Sequence, residues 1–195
     1  MNHCTLLFLS LLMLPLAARE VPDWENPALQ SRGLEEPRAH FWPFTEPAKA
    51  LGNRPEQSSR VRCLSGAWAF HYAPCPAERP RDFYQTGFDD ATWPRIAVPG
   101  NWEVLGFGTP VYTDTEYLFP ANPPHVPHDD NPVGSYRTRF DLPQAWQGQQ
   151  ILLHFGSVKS ACYLWVNGRP AGFAKGSKTP LEFDVTALVH PGSNL

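Results

Sequence analysis

Cys162-Tyr-Leu-Trp-Val-Asn-Gly-Arg-Pro-Ala-Gly-Phe173 carries the clearest fold signal in the chain. Residues 162–166 are apolar, aromatic and β-branched types that pack well on a pleated surface, and they run straight into Asn167-Gly168. An Asn-Gly pair supplies the two positive-φ positions of a tight hairpin turn, so the pattern predicts a β-hairpin with its return strand starting at Phe173. Outward from the hairpin the same two-residue period recurs. Trp68, Phe70 and Tyr72 alternate within Gly66–Tyr72, and Ile96-Ala-Val98 is a short strand stopped by Pro99-Gly100. Tyr136, Thr138, Phe140 and Leu142 alternate, as do Ile151, Leu153 and Phe155, then Leu181, Phe183 and Val185. His190-Pro-Gly-Ser-Asn194 reads as a turn, and Leu195 as the first residue of a further strand. Some seven short strands, no long helical period and no internal repeat predict an all-β chain. The expected architecture is an antiparallel jelly-roll β-sandwich, incomplete at its C-terminus.

The N-terminal third follows other rules. Leu6 to Ala18 is an apolar run too short to span a bilayer comfortably, closing in Leu16-Ala17-Ala18. Residues 1–18 read as a secretory signal peptide, although Met1-Asn-His-Cys4 before the run has no Lys or Arg. The expectation is export to a periplasmic or extracellular location, with no membrane anchor once the leader is removed. From Glu20 to Ser58 the apolar residues keep no period. Trp24, Phe41, Trp42 and Phe44 are scattered among prolines, as in an extended arm pinned to a body by single aromatics. The division is therefore a leader over 1–18, an arm over 19–58 and a sandwich over 59–195. Past the leader three cysteines remain, Cys63, Cys75 and Cys162, and an odd number leaves a thiol unpaired in an oxidising compartment. Cys63 and Cys75 bracket one expected strand, so no disulfide is assigned. A net charge of −3 offers no basic field for nucleic acid.

Between Val98 and Tyr136 lies Pro110-Val-Tyr-Thr-Asp-Thr-Glu-Tyr-Leu-Phe-Pro-Ala-Asn-Pro-Pro-His-Val-Pro127. It is too rich in proline to be a strand and too aromatic to be a linker. Pro120, Pro123, Pro124 and Pro127 fix φ and remove backbone donors, so the segment reads as a stiff loop. Such a loop either packs on its own sandwich or reaches toward a ligand, and composition leaves both open.

Several motifs in order resemble one family. Phe88-Asp-Asp-x-x-Trp93-x-x-Ile-x-Val98-Pro-x-Asn-Trp102 resembles the opening of the N-terminal sugar-binding, galactose-binding-like domain of family 2 glycoside hydrolases. Trp24-Glu-Asn-Pro27, Pro110-Val-Tyr-Thr, Asn122-Pro-Pro-x-Val-Pro127, Asn131-Pro-Val-Gly-x-Tyr136 and Trp165-Val-Asn-Gly168 look like the form found in large multidomain β-galactosidases. The resemblance implies a retaining glycosidase, in which one glutamate attacks the anomeric carbon and another serves as acid and then base. In that family both glutamates sit on a (β/α)₈ barrel of about 250 residues, which lies outside this sequence. The implied partners are a β-galactoside substrate and the further domains that include the barrel, and a homo-oligomer is compatible. Mg and Na are implied for the complete enzyme, none of them within this chain. One site residue carries over. In the family an asparagine of the loop after Pro-x-Tyr-Thr helps bind the galactosyl unit, and the matching position is Asp114, a carboxylate that accepts hydrogen bonds but, ionised, donates none.

Other signals are weaker. His125-x-x-His128-Asp129-Asp130 has metal-ligand types at close spacing, but His40, His71 and His190 are scattered, His154 lies within a strand pattern, and a closed structural zinc site needs four ligands. No metal is assigned. Asp89 with Asp90, or Glu103 with Glu116, are candidate carboxylate pairs, though aspartates before a tight turn are usually structural. Trp102 and Trp165 are candidate sugar-stacking rings, though aromatics on alternating strands usually belong to the core. The rivals to an enzyme part are a free carbohydrate-binding module and an interaction domain that complements a partner lacking it.

Overall fold

A computed structural model describes residues 21–113 and 119–195; residues 1–18, expected to be a leader, lie outside the described residues. Within them the strands are β1 (Ser31–Arg32), β2 (Gly66–Ala73), β3 (Arg95–Val98), β4 (Val133–Arg137), β5 (Phe140–Leu142), β6 (Leu152–Phe155), β7 (Ala161–Val166), β8 (Arg169–Lys175), β9 (Leu181–Asp184) and β10 (Gly192–Asn194). One short helix, α1 (Pro47–Gly52), interrupts the arm. The strands associate as β1-β8-β7, β3-β2-β4, β6-β9 and β10-β5, and the pairs are antiparallel. This is the all-β jelly-roll sandwich that the period-two runs predict.

The core follows from those runs. Val166 and Ala174 from the hairpin meet Leu181, Phe183 and Val185, with Ile151, Leu153 and Phe155 packed against them. Phe183 and Phe70 are fully buried and Phe173 nearly so; burial of each such side chain contributes about 1.5–3 kcal/mol. In β2 the burial is less one-sided than alternation suggests. Ala69 is buried as well as Phe70, because β2 is the central strand of its sheet and both of its faces are partly covered.

The hairpin is tighter than expected. Arg169 already pairs with Val166, so the return strand starts directly after Asn167 (φ 52°) and Gly168 (φ 80°). The register slips between Leu164, opposite Gly172, and Trp165, opposite Pro170. That bulge accommodates Pro170, which has no N–H to give to a regular ladder. At the other end, Gly192–Asn194 is strand rather than turn and pairs with Leu142–Phe140. The reason is Asn194, 1% exposed. Its amide donates to the His190 and Gly192 carbonyls, and its oxygen accepts from the His190 N–H, so the side chain closes the bend and frees its backbone for pairing. Leu195 is held by Asn167, whose Oδ1 takes the Leu195 N–H at 2.8 Å and whose N–H meets the Leu195 carbonyl at 2.8 Å.

The arm is pinned by backbone more than by rings. Ser31 and Arg32 pair with Ala174 and Phe173, Leu34 bridges Phe183, and the Glu35 N–H donates to the Glu182 carbonyl at 2.9 Å. Trp24 meets Tyr163 edge-on at 6.4 Å, whereas Phe41 stays 60% exposed under the Arg38 guanidinium. This close approach requires glycine at 172. A Cβ there would lie 2.5 Å from Phe183 Cε1 and 2.6 Å from the Arg32 carbonyl oxygen, both without room to move. Gly172→Ala is therefore expected to destabilise the chain by about 1–3 kcal/mol in urea unfolding, the range for overpacking, and to speed tryptic cleavage within residues 32–38. Unchanged stability together with an unchanged cleavage rate would contradict the docking geometry.

Candidate functional site

The proline-rich loop departs after β3 and returns at β4, and aromatic rings fix both ends. Trp102 opens a single 3₁₀ turn, Trp102–Leu105, and its ring lies over Gly134. A Cβ at Gly134 would collide with that ring and come within 2.8 Å of Phe70 Cε2. Phe107 and Tyr136 sit 4.9 Å and 4.8 Å from the Phe70 ring, and Tyr72 meets Trp102 edge-on at 5.9 Å. Gly108, at φ +70°, backs onto the Tyr72 ring. Trp102 is thus a packing residue at the root of the loop, not a free sugar platform. Trp165 is likewise engaged, stacked on Tyr84 at 5.3 Å with Phe83 edge-on at 5.4 Å.

The far side of the loop is held by a residue that sequence reasoning missed. Glu25, in the 3₁₀ turn Asp23–Glu25 of the arm, is 5% exposed. Its carboxylate accepts from His128 Nε2 at 2.6 Å and from the Val126 N–H at 3.3 Å, and His125 Nδ1 approaches at 3.4 Å. Asn122-Pro-Pro-His125 forms the tight turn that aims these groups, closed by the His125 N–H on the Asn122 carbonyl at 2.8 Å. Burial pushes the Glu25 carboxyl upward, but the hydrogen bonds from His128, His125 and Val126 outweigh it and hold the group below the usual carboxylate value. His125 and His128, set aside as a metal motif, instead clamp a buried carboxylate. The only signal in sequence was Trp24-Glu-Asn-Pro27, which showed that the arm matched a pattern but not what Glu25 does.

Asp114 lies outside the described residues, as does Glu116. The described stretches on either side, through Thr113 and from Phe119, belong to the loop just outlined. Within the root and first limb of the loop, Val104, Val111 and Tyr112 are 72%, 59% and 93% exposed. The aspartate pair is structural. Asp89 Oδ1 caps the Ala91 N–H at 2.9 Å, and Asp90 Oδ2 accepts from Arg137 Nε at 2.8 Å. Arg137 is 4% exposed and also donates to the carbonyls of Phe83, Gln85 and Phe88. Glu103 lies by Tyr136, whose phenol is pushed up by burial first and by that carboxylate second.

The clamp has a pH signature. A carboxyl held below its unfolded-state value of 4.5 contributes stability that is fully present above pH 4.5 and disappears as pH falls through the lower folded-state value. Glu25→Gln is expected to cost about 1.5–3 kcal/mol at pH 7, the worth of hydrogen bonds to a charged group. Its unfolding free energy should converge on that of the wild type as the carboxylate titrates in acid. A gap that widens on acidification would reverse the sign assigned here.

Residues 61–195 match the glycosyl hydrolases family 2 sugar binding domain. A β-galactosidase of Halalkalibacterium halodurans is 40% identical over 155 residues, covering 77% of this chain and 15% of that protein. Beta-galactosidase 2 of Enterobacter cloacae is 39% identical over 189 residues, covering 95% of this chain and 18% of its own length. The chain thus spans under a fifth of these relatives. Among solved structures, a β-glucuronidase from an uncultured Clostridium aligns over 67% of this chain and 20% of its own at 25% identity and TM-score 0.49. Bacteroides uniformis β-glucuronidase aligns over 68% and 14% at 22% identity and TM-score 0.48. The chain belongs to the N-terminal sugar-binding domains of the family 2 glycoside hydrolases and is homologous to that part of the β-galactosidases.

Proposed function

We propose that this domain serves an exported β-galactosidase-type retaining hydrolase, which releases terminal non-reducing β-D-galactose, and that its share of the work is to present Asp114 to the sugar. The observation that carries the reading is the two-sided anchoring of the loop: rings at its root, and the Glu25 carboxylate on its outer limb. A loop fixed in this way loses little further entropy on meeting a substrate, so a side chain on it is presented rather than recruited. The β-galactosidase relatives and the exposure of Val104, Val111 and Tyr112 support the same reading, since exposed apolar side chains in the loop suit burial against a further domain. Asp114 would accept a hydrogen bond from a galactosyl hydroxyl, with the two glutamates of the chemistry supplied by a barrel.

The 195-residue chain by itself should not hydrolyse an aryl β-galactoside. In a full-length enzyme that includes the barrel, Asp114→Ala should lose about 1.5–3 kcal/mol of transition-state stabilisation, the worth of a hydrogen bond to a charged group, roughly ten- to a hundred-fold in kcat/KM. Asp114→Asn should retain or improve activity, because an amide both donates and accepts. Steady-state kinetics with a parallel melting curve decides the point. An unchanged kcat/KM for Asp114→Ala in an intact fold reduces the loop to scaffold, and turnover by the isolated chain that depends on one of its own carboxylates removes the need for a barrel.

A further inference from the structure

His40 and His154, scattered in sequence, come together in space. His154 on β6 is directly opposite Glu182 on β9, so the two side chains share one face of that pair, and His154 Nδ1 lies 3.0 Å from Glu182 Oε1. The arm crosses above them. Its path is fixed by the Leu34–Phe183 bridge and by the Glu35 N–H on the Glu182 carbonyl, and it brings the His40 ring to 4.6 Å from the His154 ring. Among the described residues this is the one group of three such side chains whose ligand atoms all fall within 4.8 Å of one another.

We propose that His40, His154 and Glu182 form a binding site for a divalent transition ion of the zinc type, which staples the arm to the β6-β9 pair. Two imidazoles and one carboxylate suit Zn²⁺, Ni²⁺ or Cu²⁺, whereas Mg²⁺ and Ca²⁺ call for oxygen donors throughout. Ligand atoms around a tetrahedral ion sit about 3.4 Å apart. The strand pair, at 3.0 Å, lies close to that spacing, and binding would draw in His40 from the exposed arm. Three protein ligands leave a coordination position for water. Arg38 Nη2 holds the other carboxylate oxygen, Glu182 Oε2, at 2.7 Å, which fixes the orientation of the carboxylate and keeps Oε1 turned toward His154. Glu182 and His154 are 16% and 22% exposed, so the site is partly shielded but open to exchange. Trp42 packs edge-on against His40 at 4.4 Å and against His154 at 5.9 Å, which places a natural fluorophore on the site. The proposal does not depend on the β-galactosidase reading.

Titration calorimetry of the full chain with zinc chloride at pH 7.5 should give one ion per chain. Affinity should fall on acidification, because protons compete with the metal for the imidazole nitrogens. His40→Ala and His154→Ala should each weaken binding at least about tenfold. Cys63→Ser and His125→Ala, which test the exposed thiol and the loop histidine as rival ligands, should leave it unchanged. Cu²⁺ should quench tryptophan emission, and Trp42→Phe should remove most of that quenching. His40 is exposed and lies outside the β6-β9 ladder, so circular dichroism of His40→Ala should show an unchanged fold and assign a lost signal to lost binding. Absence of saturable binding, binding indifferent to His40→Ala, or binding that follows Cys63 or His125 would overturn the proposal.

Discussion

A buried negative charge governs this molecule. Glu25 sits in a one-turn 3₁₀ helix of the arm, and its carboxylate needs partners that the arm itself does not contain. They come from the proline-rich loop, 100 to 103 residues away. The same turn is also held by the hairpin. Lys175 Nζ donates to the carbonyls of Asn26 at 2.7 Å and Asp23 at 3.3 Å, while the Asp23 carboxylate accepts from Arg32 and from the Tyr163 hydroxyl. Burial and the neighbouring Asp23 push the Tyr163 phenol up to about 12, so it stays a donor across the physiological range. Four consecutive arm residues thereby couple the β7-β8 hairpin to the loop that carries Asp114.

A second polar centre does comparable work at the end of β4. Arg137 is almost fully enclosed at the end of β4, and its guanidinium is shared among one carboxylate and three main-chain carbonyls of residues 83–90. The irregular stretch before β3 has no ladder of its own, so these bonds satisfy its buried acceptors. Phe88 lies under the same guanidinium at 5.4 Å. The segment Phe88-Asp-Asp is thus read most simply as the cradle of one arginine, which removes any need to see a catalytic pair in it.

What could be read from sequence depended on how far apart the interacting residues lie. The Asn167-Gly168 turn and the alternating runs are local, and they gave the sandwich correctly. Proline at 170 concealed the first part of the return strand, because a proline inside a strand is only tolerated at the bulge that the fold provides. The C-terminal strand was concealed by Gly192 and Asn194, both turn-forming types; the Asn194 side chain builds the bend and leaves the backbone to pair. Glu25, Arg137 and the grouping of His40 with His154 were invisible for a different reason. Each meets partners tens to a hundred residues away, and neither composition nor period encodes a register between distant segments. Asp114 rests on resemblance alone.

The arm's anchorage also sets an order of assembly. Its bonds to Lys175 span 149 and 152 residues, among the longest loop closures of the described residues. Closures of that length lose more chain entropy than the hairpin or the β2-β4 pair, so they are expected to form late, once β7, β8 and β9 provide the surface they need. Until then the outer edge of β8 stands unpaired, and an open edge accepts any strand offered to it, including one from a second molecule. The arm precedes the sandwich in the chain yet depends on it for its anchorage, and the rate at which it docks sets how long the β8 edge stays open to neighbouring chains.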